Sequence, residues 1–437
     1  MTIAIGFATT VALWAVCYFT LMGPGLAVGE ALFGLMLVLI AIGGAIGARC
    51  REVTMRGSGA ATMAGVRVGF VSALANLLIV GSLFKDTSAV EMGGWLFGLF
   101  AVSIGLGALG GALGGAKPAI DRAQLPSALA VFAAVLAIAI VLLLVSGGLV
   151  TGLEAGLAVP DWPNSFGHNM LLYPLRDMTG GIFFEHAHRL YGMLVGTGTI
   201  TLVVLVFIND ARGWLRGVSL LLLLMVIIQG IMGGLRVTEL SVSLAIVHGI
   251  FGQLVFVIAT LIAAFTTRRW TSTVPPQSHE ATENDRALTA ALLVVLIVQL
   301  VLGACLRHLQ VFSEQTDKLV LPHWALFTHI TVGIIAFVVA ILTGLRAWGG
   351  YREDSILRSL GQAIVVVVSI QLLLGLFALV VVLTRSGAVP PVHEVVMTSL
   401  HQATGAILLA LAALLFAWHR RLLGPAVSSW SAEAEPQ

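Results

Sequence analysis

Charged residues are scarce in this chain. Lys and Arg together number 23 and Asp and Glu number 21 among 437 residues, which is 10% of the sequence. Soluble domains carry about 25% charged residues, so this composition excludes a water-soluble globular enzyme. Cysteine is rarer still: Cys17, Cys50 and Cys305 form no CxxC pair, which argues against a thiolate metal site and a disulfide framework. The net charge of +2 gives no reason to expect nucleic-acid binding.

Long apolar runs fill the chain instead, and 58% of the residues are hydrophobic. About 20 apolar residues cross a bilayer as a helix, so the sequence predicts an all-α polytopic membrane protein with about twelve transmembrane helices. The expected spans are 3–22, 27–48, 66–84, 92–115, 126–150, 187–207, 217–235, 242–265, 287–306, 324–346, 359–383 and 396–417. The first run lacks the basic flank and cleavage site of a secretory signal, so we expect it to be a span.

The basic residues orient these spans. Most of the 23 Lys and Arg residues fall in connections on the side that both termini share. The positive-inside rule therefore predicts a multi-pass protein of a bacterial-type inner membrane with both termini in the cytoplasm.

The spans divide into blocks. We expect a four-helix N-terminal extension of unknown role at 1–122, four-helix bundles at 123–267 and 287–423, a cytoplasmic linker at 268–286 and a disordered tail at 424–437. The two bundles form a weak repeat. Gln229 and Gly233 match Gln371 and Gly375, and each pair is followed one span later by a histidine.

Four histidines share one sequence pattern. They begin four alternate spans, and each has a glycine four residues later: His188, His248, His329 and His401, with Gly192, Gly252, Gly333 and Gly405. Residues i and i+4 share a helix face, so each glycine is expected to open a gap below the imidazole where a flat macrocycle can lie. Imidazole is a standard axial ligand of haem iron, which predicts two bis-histidine pairs. An interfacial histidine bonded to a loop is the alternative for each one alone, and zinc is disfavoured because its ligands must converge.

One of these histidines is accompanied by an acid. Glu185 precedes His188 by three residues, so the carboxylate lies on the same face and can reach the rim of a ligated group. The alternative is a helix-start glutamate paired with Arg189. Arg189, Arg236 and Arg307 lie at helix ends, where they can bind a haem propionate or snorkel to the interface. The long loop 151–186 before this helix is expected to be a folded cap, since long ordered connections are usually functional.

Four motifs together resemble the haem A synthase family. They are the E-x-x-H-R of residues 185–189, GLAVPDWP at 156–163, VHG at 247–249 and LHQATG at 400–405. The resemblance covers about 126–421 and implies an eight-helix core of two four-helix bundles, each with two histidines.

The resemblance also implies a function. The family oxidises the C8 methyl of haem O to the formyl group of haem A for terminal oxidases, by successive hydroxylations, with haem b as an electron-carrying cofactor. By analogy, cofactor haem b and its iron are held by His329, His401 and Arg307; substrate haem O is held by His188, His248, Arg189 and Arg236; and Glu185 is the catalytic carboxylate. Haem O synthase and the terminal oxidase assembly machinery are the implied partners.

The sequence departs from the family pattern around His329. Leu326 stands where the acid would be and Ile330 where the arginine would be. His323 is therefore a rival ligand, but it has Phe327 rather than glycine at i+4, so His329 is preferred.

The loop 151–186 and the N-terminal block also depart from the pattern. The loop lacks the cysteine pair of some members, which excludes thiol chemistry there, and Thr151 stands near a usual arginine. The first four spans have no counterpart in the family core, and a docking module for a partner is one interpretation.

Two other functions remain open from sequence. A bis-histidine b-type electron-transfer subunit would use the same ligands without altering its haem. A transporter is less favoured, because the weak repeat is parallel and no helix is broken at mid-membrane.

Overall fold

The computed structural model describes residues 1–21, 26–51, 57–83, 88–121, 123–272, 277–278 and 282–424. Within these residues the chain forms thirteen α-helices: α1 Thr2–Leu21, α2 Leu26–Arg49, α3 Ser58–Val80, α4 Ala89–Gly115, α5 Ala128–Gly152, α6 Gly180–Asn209, α7 Gly213–Thr238, α8 Val242–Phe265, α9 Arg268–Thr271, α10 Thr282–His308, α11 His323–Gly350, α12 Ser355–Leu383 and α13 Val392–Leu422. The predicted all-α polytopic class is confirmed.

Eleven of the described helices are long and apolar enough to cross a membrane, and α1 is apolar over the shorter stretch Thr2–Tyr18. The predicted spans therefore correspond to α1–α8 and α10–α13. The helices run beyond the apolar stretches, because a helix continues where capping and tertiary contacts support it after the hydrophobic signal ends. As a result α6 begins at Gly180 rather than 187, which places Glu185 inside the helix.

Short strands join some of the described helices. They form three two-stranded pairs: antiparallel β1 Asn164–Ser165 with β2 His168–Asn169, parallel β3 Gln277–Ser278 with β6 Leu423–Gly424, and antiparallel β4 Val311–Ser313 with β5 Lys318–Val320. The β4–β5 hairpin connects α10 to α11, and the β1–β2 hairpin lies within the cap loop. No closed sheet occurs in the described part of the chain.

The chain folds into two compact units. The first unit comprises Met1–Leu244 and Ile258–Arg268, and the second comprises Ala245–Val257 and Arg269–Gln437. The first unit thus contains the expected N-terminal extension and most of the first bundle. The domain boundaries of the sequence analysis stay a prediction, and the tail predicted to be disordered lies outside the described residues from 425 onward.

Glycines hold α2, α3 and α4 in close contact in the first unit. A Cβ on Gly65 would lie 2.1 Å from the Gly107 carbonyl oxygen, and one on Gly110 would lie 1.8 Å from the Ala41 carbonyl oxygen. Only hydrogen fits at these positions, so the backbones approach as they do in small-residue membrane interfaces.

We expect Gly110→Ala to destabilise the protein by about 1–3 kcal/mol or more, because the atom it meets is backbone and cannot rotate away. Gly105→Ala, on the same helix, is the matched control, since nothing described lies within 4 Å of its Cβ position. Thermal unfolding of both variants in the same detergent measures the difference. Equal midpoints would contradict the close packing of α2 against α4.

A polar cluster ties helix ends together in the second unit. Asp285 is 4% exposed and accepts hydrogen bonds at 2.5 Å from Arg346 Nε and from the Tyr351 hydroxyl. Thr289, one turn along α10, lies 3.1 Å from Nδ1 of buried His419 on α13. Burial and then the bond to Asp285 raise the pKa of Tyr351 above its ordinary value. The cluster joins α10, α11 and α13 at the end remote from the paired histidines of this unit.

Candidate functional site

Two of the predicted histidines face each other in the second unit. The ring centroids of His329 on α11 and His401 on α13 are 6.3 Å apart, with ring planes at 79°. Each ring lies over a glycine of the preceding helix. A Cβ would approach the ring Cε1 to 3.0 Å at Gly303, below His329, and to 2.9 Å at Gly375, below His401. These two glycines therefore make room for the imidazoles.

A glutamine accompanies each histidine of this pair. Gln299 Nε2 lies 3.3 Å from His329 Nε2 and donates to the His329 carbonyl at 3.0 Å, and Gln371 Nε2 lies 3.4 Å from His401 Nε2. The sequence predicts an open gap over the glycine one turn below each histidine, and for this pair that prediction is wrong. A Cβ at either position would be 3.0 or 3.1 Å from a glutamine amide: Gly333 beside Gln299 and Gly405 beside Gln371.

The helix pairs α10–α11 and α12–α13 repeat this arrangement at one spacing. The glutamine precedes its contacting histidine by 30 residues in both pairs. The repeat noted in the sequence paired Gln371 with Gln229, and Gln299 and Gly303 were not predicted. The signal was present, since Q-x-x-x-G is followed at equal distance by H-x-x-x-G in both pairs.

His323 occupies a different environment from His329. It is exposed at the start of α11, and its ring centroid lies 6.4 Å from that of Phe327. Of these two rival residues, His329 is the one that faces His401. The choice between them as a ligand stays a prediction, as does the role of Arg307, which is half-buried in the last turn of α10.

The remaining predicted histidine ligand of this unit belongs to the VHG motif. His248 is half-buried near the start of α8. A Cβ on the adjacent Gly249 would lie 4.0 Å from His308 Nε2, so His308, at the end of α10, lies beside the motif. His308 was not predicted as a site residue.

His188 lies in the first unit, on α6. Its Nδ1 is 2.9 Å from the hydroxyl of Ser146 on α5. A Cβ on the adjacent Gly147 would be 3.0 Å from the ring Cε1. The same close packing over a glycine therefore occurs at His188, His329 and His401, although only His188 has a serine partner.

Glu185 and Arg189 bind the cap loop to α6. Glu185 is 4% exposed; its Oε1 accepts from Arg189 Nη2 at 2.7 Å and its Oε2 accepts from the Val159 N–H at 2.8 Å. Arg189 also donates to the carbonyls of Val159, Asp161 and Asn164 at 2.7–2.9 Å. A guanidinium has five N–H donors, so these contacts leave one for a further partner. Binding of a haem propionate by Arg189 stays a prediction. It would use the fifth N–H group, or the loop would have to release some of the other four.

The GLAVPDWP segment is the part of the cap loop that Glu185 and Arg189 contact. Asp161 accepts from the Phe166 and Gly167 N–H groups at 2.7 and 2.8 Å. Burial raises the pKa of Asp161, but these bonds outweigh it and hold the pKa below its ordinary value. Arg236 on α7 donates to the Gly156 carbonyl at 3.0 Å, so this predicted propionate ligand also contacts the loop. The expected folded cap is therefore present.

Arg189→Lys should release the cap loop, because one ammonium cannot reach the four acceptors that the guanidinium fork holds. We expect faster hydrogen exchange over residues 156–169. Arg176→Lys is the matched control, since Arg176 is an exposed arginine of the same connection. Hydrogen exchange followed by mass spectrometry measures both variants. Unchanged protection in Arg189→Lys would contradict the conclusion that Arg189 holds the cap loop against α6.

A second buried acid lies on a helix that contains a predicted histidine ligand. This acid was not predicted from the sequence. Glu394 lies in the first turn of α13, seven residues before His401, and is 1% exposed. Its Oε1 is 3.3 Å from Nη1 of Arg385, which is itself buried and also donates to the Gly387 and Ala388 carbonyls. A buried Glu–Arg pair thus anchors a loop in each unit.

Comparison with known proteins now bears on this geometry. A search of curated proteins finds no match. The family model COX15-CtaA, described as cytochrome oxidase assembly protein, matches residues 167–413. The match begins inside the cap loop, includes all four predicted histidine ligands and leaves α1–α5 outside it. It covers more than half of the chain and confirms the resemblance to the haem A synthase family. The chain therefore belongs to the COX15-CtaA family of cytochrome oxidase assembly proteins.

Proposed function

We propose that the protein is a haem A synthase, which oxidises the C8 methyl group of haem O to a formyl group. Membership of a cytochrome oxidase assembly family supports the general role. The observation that carries the specific reaction is the buried carboxylate of Glu185, three residues before His188 on one face of α6. A carboxylate removed from water beside a membrane-helix histidine is costly, and such residues are commonly functional.

His329 and His401 have the geometry to hold the cofactor, haem b. A metal bonded to one nitrogen of each ring at about 2 Å places the two ring centres roughly 6 Å apart, and the observed separation is 6.3 Å. The Nδ1 atoms of both rings are buried without a hydrogen-bond partner among the described residues. Haem b bound there would supply single-electron redox chemistry, and Arg307 is the proposed propionate ligand. The glutamine amides near each Nε2 would have to move aside for the iron.

Glu185 and the predicted substrate ligands would position the substrate and accept the proton released when it is oxidised. His188, with His248, would bind the iron of haem O, and Arg236, with Arg189, would bind propionates. Glu185 would accept a proton released as the substrate methyl group is oxidised, a role that needs a fixed carboxylate within hydrogen-bond reach. The Val159 N–H and the Arg189 guanidinium hold that carboxylate in place.

The decisive experiment is expression of the protein with a source of haem O, followed by chromatography of extracted haems. We expect hydroxylated and formyl products. A folded, haem-loaded protein that gives neither product would exclude the proposed reaction. Haem O synthase and the terminal oxidase assembly machinery are the proposed partners, in an inner membrane with both termini cytoplasmic.

One observation favours a different function, a b-type electron-transfer subunit. Glu394 lies on the same helix as His401 and pairs with Arg385 of the preceding loop. A buried acid near a predicted histidine ligand can therefore hold a loop in place, and Glu185 also contacts a loop. If Glu185 does only this, the protein carries haem without altering it. The extraction would then show haem b alone, with unmodified haem O.

A further inference from the structure

The hydroxyl of Ser146 makes two close contacts. Ser146 is 3% exposed and lies on α5, one residue before the glycine that makes room for His188. Its Oγ is 2.9 Å from the carbonyl oxygen of Leu143 and 2.9 Å from Nδ1 of His188. Both distances are within hydrogen-bond range.

A count of protons decides the direction of these bonds. A serine hydroxyl has one proton to donate, and the Leu143 carbonyl oxygen has none, so the bond to Leu143 uses the hydroxyl proton. The contact with His188 is then a hydrogen bond only if Nδ1 carries a proton and Oγ accepts it. In a neutral imidazole that leaves Nε2 unprotonated, as the acceptor nitrogen of the ring.

We propose that Ser146 is a positioning residue that holds His188 as the Nδ1–H tautomer and presents Nε2 to the iron of the bound haem. The inference rests on the proposed function, in which His188 is an axial ligand. A hydrogen bond from the second ring nitrogen of a histidine ligand fixes its tautomer and orientation and raises its basicity. Gly147 leaves the space and Ser146 sets the orientation within it.

The hydrogen-bond partner of Nδ1 distinguishes His188 from the pair in the second unit. His329 and His401 have a glutamine amide near Nε2, and their Nδ1 atoms have no partner in the described part of the chain. A ligand whose Nδ1–H is hydrogen-bonded donates more charge to iron and favours the ferric state. The haem at His188 should therefore respond to loss of the serine hydroxyl, and the haem at His329 and His401 should not.

The test uses the full-length protein purified with its haem, and reads the midpoint potential and the electron paramagnetic resonance of the ferric haem. In Ser146→Ala we expect a more positive potential for one haem, changed g-values and about 10–100-fold weaker haem retention, which is typical when an outer-shell partner is lost. Ser146→Thr keeps the hydroxyl and should restore the wild-type signals. Should Ser146→Ala fail to fold, Ser146→Cys replaces it with the same expected shift, because a thiol is a weak acceptor.

Thr199→Val is the matched control. It removes a fully buried hydroxyl of α6 that bonds to the Val195 carbonyl of its own helix, so the haem signals should not change. Wild-type signals in folded Ser146→Ala would overturn the inference while leaving the proposed function intact. Wild-type signals in His188→Ala would overturn both, because His188 would then not be a ligand.

Discussion

Glu185→Gln should retain haem and lose haem A formation by at least about 100-fold, the lower range for removal of a general base. The substitution keeps the size of the side chain and one acceptor oxygen but removes the negative charge. The carboxylate is 4% exposed and held at both oxygens, so its position is fixed by the cap loop and by α6. The measurement is the ratio of extracted formyl and hydroxylated haem to unmodified haem O, at equal protein and haem content.

Glu239→Gln is the control for that variant, since Glu239 is an exposed carboxylate following α7. It should form haem A at the wild-type level. Normal turnover in Glu185→Gln would remove Glu185 from the mechanism and assign its carboxylate to the cap loop alone.

Substitution of His329 or His401 by alanine should remove the cofactor haem from the second unit. The two ring centroids are 6.3 Å apart, and each ring is proposed to supply one ligand, so loss of either leaves a single ligand. The reduction in haem b content should exceed the roughly 10–100-fold effect typical of an outer-shell partner. Optical difference spectra of the purified variants, normalised to protein, measure it.

His323→Ala is the matched control on the same helix, because His323 is exposed and its ring packs near Phe327. It should keep its haem b. Loss of haem in His323→Ala with retention in His329→Ala would reverse the ligand assignment. Retention in all three variants would exclude His329 and His401 as the ligands of haem b.

The fold class could be predicted because hydrophobic runs of about 20 residues are unambiguous. The predicted helix boundaries were less accurate, and at α6 and α13 the difference matters. Both helices start before their predicted spans, and these additional N-terminal residues include Glu185 in α6 and Glu394 in α13. The hydropathy pattern ends where the membrane is expected to end, whereas a helix ends where its backbone loses hydrogen-bond partners.

Part of the candidate site was also visible in the sequence. Histidine and glycine at i, i+4 selected His329 and His401, which the structure brings together. The open gap predicted over Gly333 and Gly405 was wrong, because Gln299 and Gln371 of the neighbouring helices fill that space. Ser146 was missed altogether, since it contacts His188 across 42 residues and no local spacing relates the two.

The sequence by itself determined how many apolar helices the chain forms, where the histidines lie along them and which family the motifs resemble. Only the tertiary structure decided which side chains meet: Ser146 with His188, Gln299 with His329 and the Val159 N–H with Glu185. The physical reason is that lipid is as apolar as a helix interface. Hydropathy marks a membrane helix along its length but does not mark which face packs against a neighbour, so contacts between helices depend on close packing that the sequence pattern does not display.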